Sequence, residues 1–137
     1  MKPFEYINHT ADMGIVSYGK SLEAVFENAA LGMFEFLADL KKVTPKEELN
    51  VYVEGEDRET LLVEWLNELL YLHETRRMLF SKFKVVELTE THLKAEVFGE
   101  KIQKRHQLEN YIKACTYHEL KIEAVEGGYR AQVICDV

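Results

Sequence analysis

The sequence predicts an α+β fold in two layers, with a mainly antiparallel or mixed sheet of about eight strands carrying two long helices on one face. Two stretches repeat apolar residues at three- and four-residue steps, as amphipathic helices do. Short runs of alternating apolar and polar residues come in neighbouring pairs divided by turn residues, as hairpins do. The order strand–strand–helix–strand–helix–strand–strand lacks the regular alternation of a doubly wound nucleotide fold. With 137 residues, 47% of them hydrophobic, the chain reads as one domain, residues 1–137, able to bury a core without staples.

Taken in order, Phe4 to Asn8 is a first strand and Gly14 to Gly19 a second. Between them runs His9-Thr10-Ala11-Asp12-Met13, with Gly14 placed to take a positive φ. Ser21 is an N-cap and Glu23 suits the first turn of a helix. Leu22, Val25, Phe26, Ala29, Met33, Phe34, Leu37 and Leu40 form its apolar face, about five turns long. Gly32 costs this helix about 1 kcal/mol relative to alanine and implies a close approach to something. Lys41 and Lys42 suit its C-terminus. Leu49, Val51 and Val53 alternate in a third strand ended by Gly55, and Asp57 caps a second helix over about 57–79. Residues 83–89 and 92–99 form a hairpin around Glu90-Thr91, and 100–109 a polar loop. Tyr111 to Tyr117 is extended, and 119–126 and 129–136 make a hairpin at Gly127-Gly128.

A net charge of −7 argues against unaided nucleic-acid binding, which needs a basic stripe. Lys101, Lys104, Arg105 and His106 are the densest basic group and read as a solvated loop. Cys115 and Cys135 sit in apolar, strand-like surroundings and read as buried thiols; a disulfide requires their strands to place them opposite each other. Leu61 to Leu72 is broken by Glu64, Asn67 and Glu68, so no membrane span is expected, and Met1-Lys2-Pro3 runs straight into the first strand. The expectation is a cytoplasmic protein with reduced thiols.

Phosphate-loop, Rossmann, paired CxxC and Gly-x-Ser-x-Gly patterns are absent. Cys115 and His118 are three residues apart on an extended segment, where side chains alternate faces, which argues against a dyad. Asp12, Asp136 and the carboxylate of Val137 offer oxygen ligands alone, the set that suits Ca²⁺, Mg²⁺ or Mn²⁺ rather than zinc. His9 could then orient a carboxylate from behind. Two plainer readings stand beside this one. Asp12 also fits a turn residue capping a backbone N–H, and Asp136 the solvent-facing end of an edge strand. Lys113, between Ile112 and Ala114, is either a cation for phosphate or carboxylate or an outward side chain. Glu64 and Asn67 flank Trp65-Leu66 as the polar border of a core helix, and His118 reads as a ligand or, by preference, a hydrogen-bonded structural histidine.

Four blocks, in order, resemble the archease family: His9-Thr10-Ala11-Asp12-Met13-Gly14-Ile15, Leu62-Val63-Glu64-Trp65-Leu66-Asn67-Glu68-Leu69-Leu70-Tyr71, Lys113-Ala114-Cys115-Thr116-Tyr117-His118 and Val133-Ile134-Cys135-Asp136-Val137. The resemblance implies a compact α+β fold and a small accessory protein of the RtcB-type RNA ligase of tRNA splicing and RNA repair. Such a protein promotes guanylylation of the ligase histidine and hence multiple turnover. The resemblance places a metal site, commonly calcium, on Asp12, Asp136 and Val137, and a functional lysine at Lys113. His9, Glu64 and His118 are carried as partner-facing candidates. Family members often have valine or another small residue at the place of Cys115, which argues against a catalytic thiol. Two other functions stay in view: a chaperone or modulator of a nucleic-acid methyltransferase, and a small metal-dependent hydrolase using Asp12, His9, Glu64 and Asp136. The hydrolase lacks an evident nucleophile.

Overall fold

A computed structural model of the chain describes residues 2–9 and 11–137, His9 in its backbone alone. Among the described residues the strands are β1 (Phe4–His9), β2 (Asp12–Gly19), β3 (Glu47–Glu54), β4 (Met78–Leu88), β5 (His92–Lys101), β6 (Ala114–Val125) and β7 (Gly128–Asp136). The helices are α1 (Leu22–Leu37) and α2 (Arg58–Arg76). All pairing is antiparallel, in a four-stranded sheet of order β1-β2-β7-β6 and a three-stranded sheet of order β3-β5-β4. The α+β class holds. The strands divide between two sheets, and they number seven where about eight were expected.

The missing strand has a local cause. The extended segment before Tyr117 and the first arm of the last hairpin are one strand, β6. Its register against β7 slips between Thr116 and Lys121, and Glu119 takes a φ of 51°. A bulge of this kind absorbs extra residues without ending the pairing. Counted from sequence, the same irregularity looks like a break between two strands.

Both helix starts follow their caps. Ser21 Oγ accepts from Ala24 N at 3.1 Å, and Asp57 Oδ1 accepts from Thr60 N at 2.8 Å, each worth about 1 kcal/mol. The helix ends differ from expectation because distant residues decide them. Glu109 N donates to the Leu37 carbonyl at 2.8 Å and Asn110 Nδ2 to the Phe36 carbonyl at 2.9 Å. These satisfy carbonyls that a helix end leaves bare, so α1 stops there. Leu40, Lys41 and Lys42 fall in a separate 3-10 turn. At the end of α2, Arg77 is left-handed (φ 55°), and Met78 and Leu79 pair with β5 instead of extending the helix.

Gly14 has no positive φ. It sits inside β2 opposite Ile7, where a Cβ would lie 2.4 Å from Ile7 Cγ1. The left-handed residue of this turn is Ala11, at φ 61°. Gly32 does allow a close approach: a Cβ there would stand 3.0 Å from the Phe4 ring, and Tyr6 Oη donates to the Gly32 carbonyl at 2.8 Å.

The core is continuous. α1 packs on β2 and also meets β1, β7 and β4, while α2 packs on β6 and reaches β3, β4 and β5. Trp65, Phe26, Phe34, Phe80 and Met33 are fully buried at its centre, and Trp65 Nε1 donates to the Phe26 carbonyl at 2.9 Å, so its one polar atom is satisfied. The helices also quiet the outer strands. Glu27 of α1 accepts from Val85 N of β4 at 2.8 Å, and Glu59 of α2 accepts from Ile122 N of β6 at 3.1 Å. An edge strand's unpaired N–H groups are thereby used within the chain.

The loop after β5 is not simply solvated. Glu100 is completely buried, and its Oε2 accepts from Thr44 N (2.8 Å), Arg105 Nη2 (2.7 Å) and His106 Nε2 (3.0 Å). Lys46 Nζ lies 3.8 Å from Oε1. His106 Nδ1 accepts from Gln103 N at 2.8 Å, so Nε2 carries the proton given to Glu100. Burial alone would raise the Glu100 pKa, but the Thr44 N–H, His106 and Arg105 outweigh it and hold it at about 2. Half of the basic cluster read as solvent-facing therefore serves one buried carboxylate, Arg105 as a counter-charge and His106 as a neutral donor.

Candidate functional site

β2 and β7 are the two central strands of the four-stranded sheet, and they run antiparallel. The first residue of β2 therefore meets the last residue of β7: Asp12 pairs with Asp136. Directly opposed residues of an antiparallel pair share a face, with Cβ atoms about 4.5–5.5 Å apart. The turn that precedes Asp12 is consequently short. Asp12 belongs to the strand, in register with His9 on its other side. Thr10 and the side chain of His9, the expected supports of this turn, lie outside the described residues.

β6 adds the third component. Asp136 also pairs with Ala114, and Lys113 N donates to the Asp136 carbonyl at 2.8 Å. Lys113 is exposed and lines a cleft of about 310 Å³ with Asn67, Leu70, Tyr71, Tyr111 and Ala114. Asp12 is half-buried, Asp136 is exposed, and Val137 is 44% exposed just past the end of β7. Two carboxylates and a lysine from three parts of the chain thus lie at one end of the sheet, Lys113 one residue out of register with the pair.

Like charges directly opposite in a ladder destabilise it, and a hard cation between them would offset that. The donors are oxygen throughout, the chemistry Ca²⁺, Mg²⁺ or Mn²⁺ prefers. Among the described residues no group of three or more His, Cys, Asp or Glu is placed to hold a metal. Asp12 and Asp136 thus stand as a cross-strand carboxylate pair.

The other candidates sit further along β6. Tyr117 Oη donates to Glu64 Oε1 at 2.7 Å, and this hydrogen bond raises the Tyr117 pKa. His118 is exposed, four residues beyond Ala114, or about 13 Å along a strand. Its Nε2 lies 3.7 Å from Glu119 Oε2. Glu64 is thus engaged with Tyr117, and His118 lies well along β6 from the carboxylate pair.

Asn67 has the role the sequence reading undervalued. One turn from Glu64 on α2, its Nδ2 donates to the Cys115 carbonyl at 3.0 Å and its Oδ1 accepts from Cys115 N at 2.7 Å. The side-chain amide acts as a next strand and anchors β6 just beyond Lys113. Its visible signal was a primary amide on the border of an otherwise apolar helix face. Beneath this clamp Cys115 and Cys135 are free and buried. The adjacent Cys135 and burial push the Cys115 thiol well above its ordinary value, with the Asp136 charge adding to both. A catalytic nucleophile is disfavoured while both thiols stay buried.

The profile of the Archease protein family (MTH1598/TM1083) matches residues 4–137. A protein archease of Methanosarcina mazei is 45% identical over 141 residues, covering 99% of this chain and 97% of its own. One of Methanothermobacter thermautotrophicus is also 45% identical over 141 residues, covering all of both chains. The solution structure of Methanobacterium thermoautotrophicum protein 1598 superposes with a TM-score of 0.83 at 42% identity, covering 100% of each chain. The crystal structure of a Thermotoga maritima archease, described as a possible chaperone, shares the fold with a TM-score of 0.63 at 22% identity, covering 100% of this chain and 98% of its own.

Proposed function

Because the chain belongs to the archease family, we propose that it activates an RtcB-type RNA ligase in tRNA splicing and RNA repair. It would do so as a protein cofactor that promotes guanylylation of the ligase and repeated turnover. Asp12, Asp136 and the Val137 carboxylate hold a divalent cation, Ca²⁺ by preference over Mg²⁺ or Mn²⁺, and Lys113 meets a phosphate or a ligase carboxylate. The observation that carries this reading is the Asp12–Asp136 register beside Lys113 at one sheet end. A cation held there supplies positive charge beside phosphate oxygens. Asp12 and Asp136 fix its place from two central strands. Lys113 adds a mobile charge that the Asn67 clamp keeps within reach.

The test is guanylylation of the cognate ligase with the wild-type protein and with Asp12→Ala, Asp136→Ala and Lys113→Ala. Each folded variant should lower the rate at least ~10-fold, the loss of a charge-assisted contact. Full activity in all three overturns the reading. A second reading is a chaperone or modulator of a nucleic-acid methyltransferase; the Thermotoga protein is described as a possible chaperone. Co-purification of a methyltransferase without the ligase would favour it. A metal-dependent phosphoesterase rate of the protein alone, abolished in Asp12→Ala, would instead favour a hydrolase.

A further inference from the structure

We propose that Cys115 and Cys135 form an oxidisable dithiol, a modification site at which a small-molecule disulfide converts two buried thiols into a cross-strand bond between β6 and β7. The two residues are direct partners in the ladder, and their sulfurs lie 2.9 Å apart. The Cys115 N–H and C=O both go to Asn67, so this is a non-hydrogen-bonded pair. Such pairs hold their Cα atoms about 4.5 Å apart, inside the usual disulfide range of about 4.4–6.8 Å. Little backbone movement is needed. The third sulfur nearby, Met33 Sδ, is 3.8 Å from Cys115 Sγ and contributes an apolar lid.

β6 is an edge strand, so access comes by its outward opening, and Cys115 is the first sulfur uncovered. The Cys115 sulfur gives its proton to solvent and attacks one sulfur of the small disulfide, releasing one thiolate. The Cys135 sulfur, likewise deprotonated, attacks Cys115 in the mixed disulfide and expels the second thiolate. The released thiolates take up the two protons. One S–S bond and two protein S–H bonds become one protein S–S bond and two small thiols, and the small disulfide is the two-electron oxidant. The product staples the strand of Lys113 to the strand of Asp136. Any effect on ion binding rests on the function proposed above; the thiol chemistry does not.

The experiment equilibrates the full chain in buffers of oxidised and reduced glutathione, folded and in denaturant, followed by acid quench, alkylation and peptide mass spectrometry. In the folded protein the Cys115–Cys135 bond should form at an oxidised-to-reduced ratio ~100-fold lower than in denaturant, because a fold that presets the geometry favours closure by the factor the bond stabilises it. The oxidised protein should unfold at a midpoint ~5 °C or more higher. Two alkylated cysteines in the folded protein at ratios that oxidise the unfolded chain would overturn the proposal. So would glutathione adducts in place of the bond, or a lowered midpoint. No variant is needed, so a misfolded mutant cannot obscure the result.

Discussion

Two strand ends in this molecule carry carboxylates, and they are treated in opposite ways. Glu100, near the end of β5, is fully buried and ringed by the Thr44 N–H, Arg105, His106 and Lys46. Asp12 and Asp136, at the ends of β2 and β7, face each other across a ladder, with an exposed lysine on the next strand. The first arrangement brings its counter-charges from within the chain and closes on itself. The second gathers like charge at a rim. A carboxylate matched by charges within the chain supports the fold, whereas like charges opposed in a ladder weaken it.

The largest test of that contrast is Glu100→Gln. It removes a charge on which three donors converge and should cost about 3 kcal/mol, lowering the thermal midpoint by ~10 °C. Glu100 also sets an acid limb. Its folded pKa of about 2 lies below its ordinary carboxylate value, so its stabilisation is complete above the unfolded value of about 4.3 and is lost as pH falls toward 2. Urea midpoints measured across that window should fall less steeply in Glu100→Gln. Equal slopes would remove Glu100 from the account.

The open end should behave in reverse. Asp136→Asn is expected to change the metal-free unfolding free energy by no more than ~0.5 kcal/mol, because it relieves a like-charge pair. Calcium at a hundredfold excess over its Kd should add about 2.7 kcal/mol to the wild type and nothing to Asp136→Asn. A variant that lost several kcal/mol without metal would make Asp136 a structural residue like Glu100, and the contrast would fail.

Between these extremes lies Asn67→Ala, which strands the N–H and C=O of Cys115. A loss of about 1–2 kcal/mol is expected, with hydrogen exchange rising at Cys115 and its neighbours more than in the three-stranded sheet. Uniform exchange would show that Asn67 does not anchor β6 in particular. The smallest effect belongs to Tyr117→Phe. Its bond to Glu64 lies at the surface, and equilibrium unfolding should shift by less than ~0.5 kcal/mol.

Features governed by short-range chemistry were legible in the linear chain. Ser21 and Asp57 cap their helices as read, because a cap is a contact between residues three apart. The hairpin turn at Glu90-Thr91 also follows from local conformational preference, and the last one falls a residue earlier than read, at Glu126-Gly127, where Gly127 takes a φ of 83° and Gly128 already pairs with Val125. The family was legible from four ordered blocks. The end of α1 was not, since Glu109 and Asn110 come from more than seventy residues away. Nor was the slip that makes β6 one strand, because a bulge is defined by its partner's register.

The site divides along the same line. By itself the sequence determined the chemistry available: oxygen donors at Asp12, Asp136 and Val137, a lysine at 113, two thiols and no evident nucleophile. Tertiary structure alone decided which of these meet. Register across β2, β7 and β6 sets Asp12 against Asp136 and Cys115 against Cys135, and the Asn67 clamp fixes the start of β6 just after Lys113. Residue type is a property of the chain. Adjacency across a sheet depends on how whole strands align, and a one-residue change of register would have put these side chains on opposite faces.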